Sequence, residues 1–145
     1  MKVSIACDHG AYDFKLALVE FLEGRGVEVS DCGTDSKESC DYPDYAEKAL
    51  DLLVNNKVDR AILTCTNGIG MSMVANKTQG VRAALAYSVK TAETTRRHHD
   101  SNTLCLGTDE FNEEQLLSFV AAWLDSDFEG GRHLRRISKF PREEE

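Results

Sequence analysis

Apolar positions come in short blocks, and their spacing switches between a period of two and a period near 3.6. Lys2 to Ala6 reads as a first buried strand, broken by Asp8-His9-Gly10. Phe14, Leu18, Phe21 and Leu22 then fall at i, i+4, i+7 and i+8, one face of a helix. Gly24 and Gly26 stop that helix. Val27 to Ser30 alternates as a second strand, and Cys32 to Asp41 is a polar loop. Pro43 suits a first helical turn, and Tyr45, Ala46, Ala49, Leu52 and Leu53 give that helix its stripe. Arg60 to Thr64 is a third strand and Met71 to Asn76 a helical segment. Val81 to Tyr87 is strand-like, Lys90 to His99 has helical composition, and Thr103 to Leu106 is a fifth strand closed by Gly107. Asn112 can cap a helix whose face is Leu116, Leu117, Val120, Trp123 and Leu124. Asp125 to Gly131 reads as a linker into a basic, helical tail.

Strand and helix thus alternate five times, which predicts an α/β fold with a parallel sheet and helices on both faces. A length of 145 residues is a one-domain prior, and it suffices for a real core. The expected domain is 1–145, with a basic tail from about 130 to 145 that has little apolar surface. That tail is expected to reach a neighbouring subunit. No apolar run approaches bilayer length and no signal-peptide pattern opens the chain, so the expected address is cytoplasmic, with no membrane partner.

Charge narrows the ligand. The net charge of −8 argues against general nucleic-acid binding, which needs a basic face. Two local clusters run the other way: Arg96-Arg97-His98-His99, and Arg132, His133, Arg135, Arg136, Lys139 and Arg142. An acidic chain with local basic clusters suits a small anionic ligand better than a long polyanion. The alternative is a solvated basic face balanced by Glu143-Glu144-Glu145. The five cysteines are odd in number, with no C-x-x-C and no zinc-type spacing. Reduced thiols and no metal site are expected.

The chemistry concentrates in Ala61-Ile62-Leu63-Thr64-Cys65-Thr66-Asn67-Gly68-Ile69-Gly70-Met71-Ser72, where an apolar run ends in a cysteine, a glycine-rich turn and a helix. In an open α/β sheet, ligands bind at the carboxyl ends of the strands. Gly68 and Gly70 allow a tight turn and close backbone approach. The amides that open the next helix face the same crevice, and positive potential there favours a thiolate. Asp8-His9 and Gly107 onward also follow strands and should share that edge. Each piece alone has a plain reading: Cys65 as a buried strand end, Asp8 as a helix cap, His9 as a surface loop residue.

The ordered set is more specific. Ala6-Cys7-Asp8-His9-Gly10, Asp41-Tyr42-Pro43-Asp44-Tyr45-Ala46, and Cys65 with Gly68-Ile69-Gly70-Met71-Ser72 come in that order. Ala75-Asn76-Lys77, Gly80-Val81-Arg82-Ala83, His98 with Asn102, and Gly130-Gly131-Arg132-His133 with Arg136 follow. Together they resemble type B ribose-5-phosphate isomerases, in the family that includes the galactose-6-phosphate isomerase subunits. The resemblance runs from Lys2 to about Ile137. It implies a Rossmann-like α/β/α sandwich with a five-stranded parallel sheet. It also implies a homodimer, often paired into tetramers, whose sites lie between subunits and need no cofactor. The implied reaction interconverts ribose 5-phosphate and ribulose 5-phosphate through an enediolate. By resemblance, Cys65 is the base and His98 opens the furanose ring. Amides from Thr66 through Asn67, Gly68, Ile69 and Gly70 hold the oxyanion. Asp8 orients hydroxyls, and His9, Arg132 and Arg136 bind phosphate. Tyr42 and His99 complete the expected substrate-binding set.

Four positions depart from the family pattern. Thr66-Asn67 stands where Gly-Thr or Gly-Ser is common, His99 where Asn is usual, and Asp109 where many members carry a phosphate-contacting arginine. They leave two variants of the reading open: another sugar phosphate, such as allose or galactose 6-phosphate, or an impaired member that binds without turnover. Two other classes lack a needed group. A thiol phosphatase needs C-x5-R, and that position is Met71. A dinucleotide-binding module needs G-x-G-x-x-G after the first strand, where the chain reads Asp8-His9-Gly10-Ala11-Tyr12.

Overall fold

The computed structural model describes residues 1–141. Arg142, the last member of the basic tail, and Glu143–Glu145 lie outside the described residues. Five strands form one sheet: β1 (Lys2–Cys7), β2 (Glu28–Asp31), β3 (Arg60–Cys65), β4 (Ala83–Leu85) and β5 (Thr103–Gly107). All pairings are parallel and the order is β2-β1-β3-β5-β4. The helices are α1 (Tyr12–Gly24), α2 (Tyr42–Val54), α3 (Ile69–Asn76), α4 (Val89–His99), α5 (Glu113–Asp125) and α6 (Arg132–Ile137). A single 3-10 turn, His9–Ala11, joins β1 to α1. None of the described helices is long and apolar enough to cross a membrane.

Period-two alternation divides the core. Val3, Ile5, Ile62, Leu104 and Leu106 face α1, α4 and α5, where Leu18, Leu22, Leu116 and Trp123 fill the layer. Ala6, Ala61, Leu63, Cys65 and Cys105 face the other way, against Ala49, Leu50 and Leu53 of α2 and Met71 and Ala75 of α3. The small residues on this second face bring α2 close, and the buried Ser4 hydroxyl donates to the Ala49 carbonyl at 2.9 Å. The helix starts follow the expected chemistry. Asn112 and Gln115 form a capping box on α5, and Pro43 sits in the first turn of α2.

The fourth strand is shorter than the apolar run suggests. Only Ala83–Leu85 pair, because β4 is an edge strand with β5 as its one neighbour. Two asparagines from the resemblance motifs hold it. Asn76 donates to the Ala83 carbonyl and accepts from the Ala83 amide, at 3.0 and 2.9 Å. Asn102 does the same to Gly80 and Arg82, at 2.9 and 2.8 Å.

One buried charge escapes the periodicity argument. Lys15 is only 3% exposed, on the inner face of α1. Its ammonium donates to the Thr34 carbonyl at 2.6 Å and lies 3.0 Å from an Asp31 carboxylate oxygen. Asp31 in turn accepts from the Gly33 amide at 2.9 Å. A buried ammonium left without its anion is costly, and hydrogen bonds to charged groups contribute about 1.5–3 kcal/mol. Asp31→Asn should therefore lower stability by about 2 kcal/mol, seen as a fall in the urea midpoint with an unchanged slope.

Candidate active site

The chain leaves β1 toward β2 on one side and leaves β3 toward β4 and β5 on the other, so a crevice opens between the carboxyl ends of β1 and β3. The Asp8 amide bonds the Thr64 carbonyl at 3.2 Å across this gap. A Cβ on Gly10 would lie 3.0 Å from Thr66 Oγ1. The two loops singled out from sequence therefore share one edge, as expected.

Cys65 is the last residue of β3 and is 4% exposed. Its sulfur accepts from the Gly68 amide at 3.2 Å. Gly68 adopts φ +76°, and a Cβ there would sit 2.6 Å from Leu85 Cδ1 and 2.9 Å from the Leu106 carbonyl carbon. Both the conformation and the space require glycine. Opposite it, Gly107 lets the Asn67 backbone approach so closely that a Cβ would meet it at 2.6 Å. Gly70 has a different cause. Its missing Cβ makes room for the Tyr42 ring, whose hydroxyl would otherwise be 2.5 Å away. Tyr42 thus closes the α2 side of the crevice.

The amides of this loop are not equally available. Gly68 is committed to the sulfur, and the Ile69 amide is capped by Asn67 Oδ1 at 3.0 Å. Asn67 precedes the N-cap Gly68 and makes an Asx turn onto the first helical amide, a role that the Asn-Gly pair before a helix could have signalled. Its oxygen faces Ile69, which leaves its Nδ2 as a donor elsewhere. Gly70 occupies the second helical position, where an amide has no intrahelical partner.

Asp8 is buried, and one carboxylate oxygen caps the 3-10 turn through the Ala11 amide at 3.0 Å. His9 Nδ1 accepts from the Cys40 amide at 3.3 Å, which folds the loop before α2 over it. With Nδ1 accepting, Nε2 carries the proton and is a donor. Asp109 also lies on this edge, exposed, with its amide on the Thr66 carbonyl at 2.9 Å.

The remaining expected residues are elsewhere. His98 and His99 end α4, just before β5 begins, and so lie at the amino edge of the sheet. Arg132 and Arg136, both exposed, are on α6, which packs on α4. The Glu129 amide ties this region to the Arg97 carbonyl at 3.0 Å. The length of β5, five residues or roughly 16 Å, separates the two sets within one chain. One chain therefore does not bring His98, His99, Arg132 and Arg136 to Cys65. Ligand atoms of His98, Glu129 and His133 lie within 4.8 Å of one another. The two imidazoles are stacked in parallel, so their in-plane lone pairs run side by side and do not converge on a metal ion.

Comparison with known proteins gives the family. The family model described as Ribose/Galactose Isomerase matches residues 3–140. The chain belongs to the ribose/galactose isomerase family. Ribose-5-phosphate isomerase B of Escherichia coli is 40% identical over 136 residues, 94% of this chain and 91% of that one. Ribose-5-phosphate isomerase B of Clostridium thermocellum superposes with a TM-score of 0.94 at 41% identity, covering 96% of this chain and 94% of that one. The Mycoplasma genitalium enzyme, solved with bound ribulose-5-phosphate, gives 0.90 at 38% identity, covering 95% and 92%. As a member of the ribose/galactose isomerase family, this chain is a sugar-phosphate isomerase with that family's α/β fold.

Within this isomerase the thiols differ sharply. Burial pushes Cys7 up to about 11, and burial beside Cys65 pushes Cys105 higher still. All five cysteines are free. Alkylation needs an accessible thiolate, so iodoacetamide at about pH 8 should leave the fully buried Cys7 and Cys105 unmodified in the folded protein. Peptide mass mapping checks this. The two loop glycines should also separate. Gly68→Ala should cost about 1–3 kcal/mol, with no relief from a second change, because it meets backbone as well as side chain. Gly70→Ala should be relieved by Tyr42→Ala, because it meets only a movable ring. Thermal unfolding of the single and double variants reads both.

Proposed function

We infer that this isomerase interconverts ribose 5-phosphate and ribulose 5-phosphate at a site completed by a second copy of the chain. One observation carries the reading. The crevice holds a buried thiol that accepts the Gly68 amide, and the same edge carries His9 together with the carboxylates of Asp8 and Asp109. A dianionic phosphate beside carboxylates needs further cations. The exposed arginines of α6 lie at the opposite edge, where a two-fold related copy can present them. The relatives named ribose-5-phosphate isomerase B, one holding ribulose-5-phosphate, support the substrate.

In this reading the partner subunit's His98 opens the furanose by moving the proton between ring oxygen and anomeric hydroxyl. Cys65, as thiolate, removes the proton from C2 of the open aldehyde and returns it to C1. The enediolate between these steps carries its charge on oxygen, and its hydroxyl proton passes from O2 to O1 so that the carbonyl moves from C1 to C2. The Gly70 amide and Asn67 Nδ2 hold it, in the loop also formed by Thr66, Gly68 and Ile69. The second Asp8 oxygen orients a sugar hydroxyl, and Tyr42 walls the pocket. Phosphate is gripped by His9 Nε2–H with the partner subunit's Arg132 and the partner subunit's Arg136, and the partner subunit's His99 borders it. A second reading, a 6-phosphate sugar as substrate, rests on Asp109 and His99; assays with allose and galactose 6-phosphates decide it.

Cys65→Ala and His98→Ala should each abolish turnover of ribose 5-phosphate as homodimers. When the two variants are unfolded and refolded together, each mixed dimer rebuilds one intact site, so activity should return to about a quarter of wild type. No recovery, with mixed dimers demonstrated by mass, rejects the shared site. Near-normal turnover by Cys65→Ala rejects the thiol base.

A further inference from the structure

His98 does not stand alone at the end of α4. Its ring lies face to face with His133 of α6, centroids 4.1 Å apart and planes 9° apart. His133 is 8% exposed, whereas the His98 side chain is half-buried. Glu129, in the loop between α5 and α6, places a carboxylate oxygen 3.8 Å from His98 Nε2. Glu129 is itself held by the hydrogen bond its backbone amide donates to the Arg97 carbonyl and by a 3.5 Å contact with the Arg97 guanidinium. The other titratable or charged groups around the pair are His99 on α4 and Arg132 and Arg136 on α6.

Packing alone does not call for this arrangement. A leucine would fill the space against α4 without burying ring nitrogens. What an aromatic face adds is a constraint: it stops the neighbouring ring from tilting and leaves it free only within its own plane. The carboxylate at the Nε2 edge then selects the orientation within that plane. The chemistry of the stacking partner also matters. Burial first, then His98 and Arg132, lower the pKa of His133, which disfavours a second imidazolium against the first.

We propose that His133 and Glu129 are positioning residues that fix the His98 imidazole for opening the sugar ring. The proposal rests on the reading of His98 given above and deepens it. It also explains why α6 carries a buried histidine between two exposed phosphate-binding arginines: one short helix sets both the phosphate grip and the acid–base group.

Substrate chemistry separates this role from a structural one. Ribulose 5-phosphate has its C5 oxygen phosphorylated, so it cannot close to a furanose and needs no ring opening. Exchange of its C1 proton with deuterated solvent reports the Cys65 step alone. His133→Ala should lower turnover of ribose 5-phosphate by about tenfold or more, within the range that acid–base groups supply. It should leave C1 exchange within about threefold of wild type, which also shows that the variant is folded. His133→Phe, which keeps the stack, should restore most of the turnover, and Glu129→Gln should show a smaller loss of the same selective kind. Equal loss of turnover and exchange in His133→Ala would mark a structural role and overturn the proposal. So would unchanged turnover, or failure of the phenylalanine to rescue. His98→Ala is the reference. If it lacks the selective loss, the reading of His98 itself falls; if it shows that loss and His133→Ala does not, only the positioning role falls.

Discussion

The contact between the Asn67–Gly68 backbone and the end of β5 fixes everything at the carboxyl edge. Gly68 in a left-handed conformation and Gly107 without a side chain let two backbones touch where any Cβ would collide. That approach sets the start of α3, aims the Gly68 amide at the sulfur, and puts the Asn67 side chain over the Ile69 amide. Gly70 and Tyr42 then close the other wall. The thiol is buried because the loop folds back over it, and the loop folds back because two glycines permit it.

The same α/β architecture that builds this crevice keeps its charges apart. Helices return antiparallel to the strands, so residues that end α4 arrive at the edge opposite those that end β3. The basic cluster of α4 and α6 is therefore distant from the thiol in one chain, in sequence and in space. The acidic balance of the crevice, with Asp8 and Asp109 near one imidazole, gives a physical reason for looking to a second copy.

Much of this was legible in the chain. Five strands, their alternation with helices and the sharing of one edge by Asp8 and Cys65 follow from periodicity and from where polar residues succeed apolar runs. Other features were not. Lys15 sits one position from Phe14 and reads as solvated, because periodicity says nothing about a distant Asp31 and a loop carbonyl that together satisfy a buried ammonium. The stack of His98 on His133 joins positions 35 apart through the packing of α6 on α4, which no local pattern encodes. Asn67 stands out in the sequence only as a departure from the family pattern, and the geometry gives its oxygen a backbone duty. The limits of Val81 to Tyr87 failed for a simpler reason: an edge strand pairs only as far as its one neighbour reaches.

The asparagine on that edge has a consequence for how the protein meets others. By taking both the amide and the carbonyl of Ala83, Asn76 occupies the hydrogen-bonding groups that an incoming strand would use. A free sheet edge is a template for runaway association, and natural folds blunt it in several ways. Here a single side chain acts as a one-residue strand that cannot be extended. Copies of this chain are thereby steered away from merging their sheets at that point.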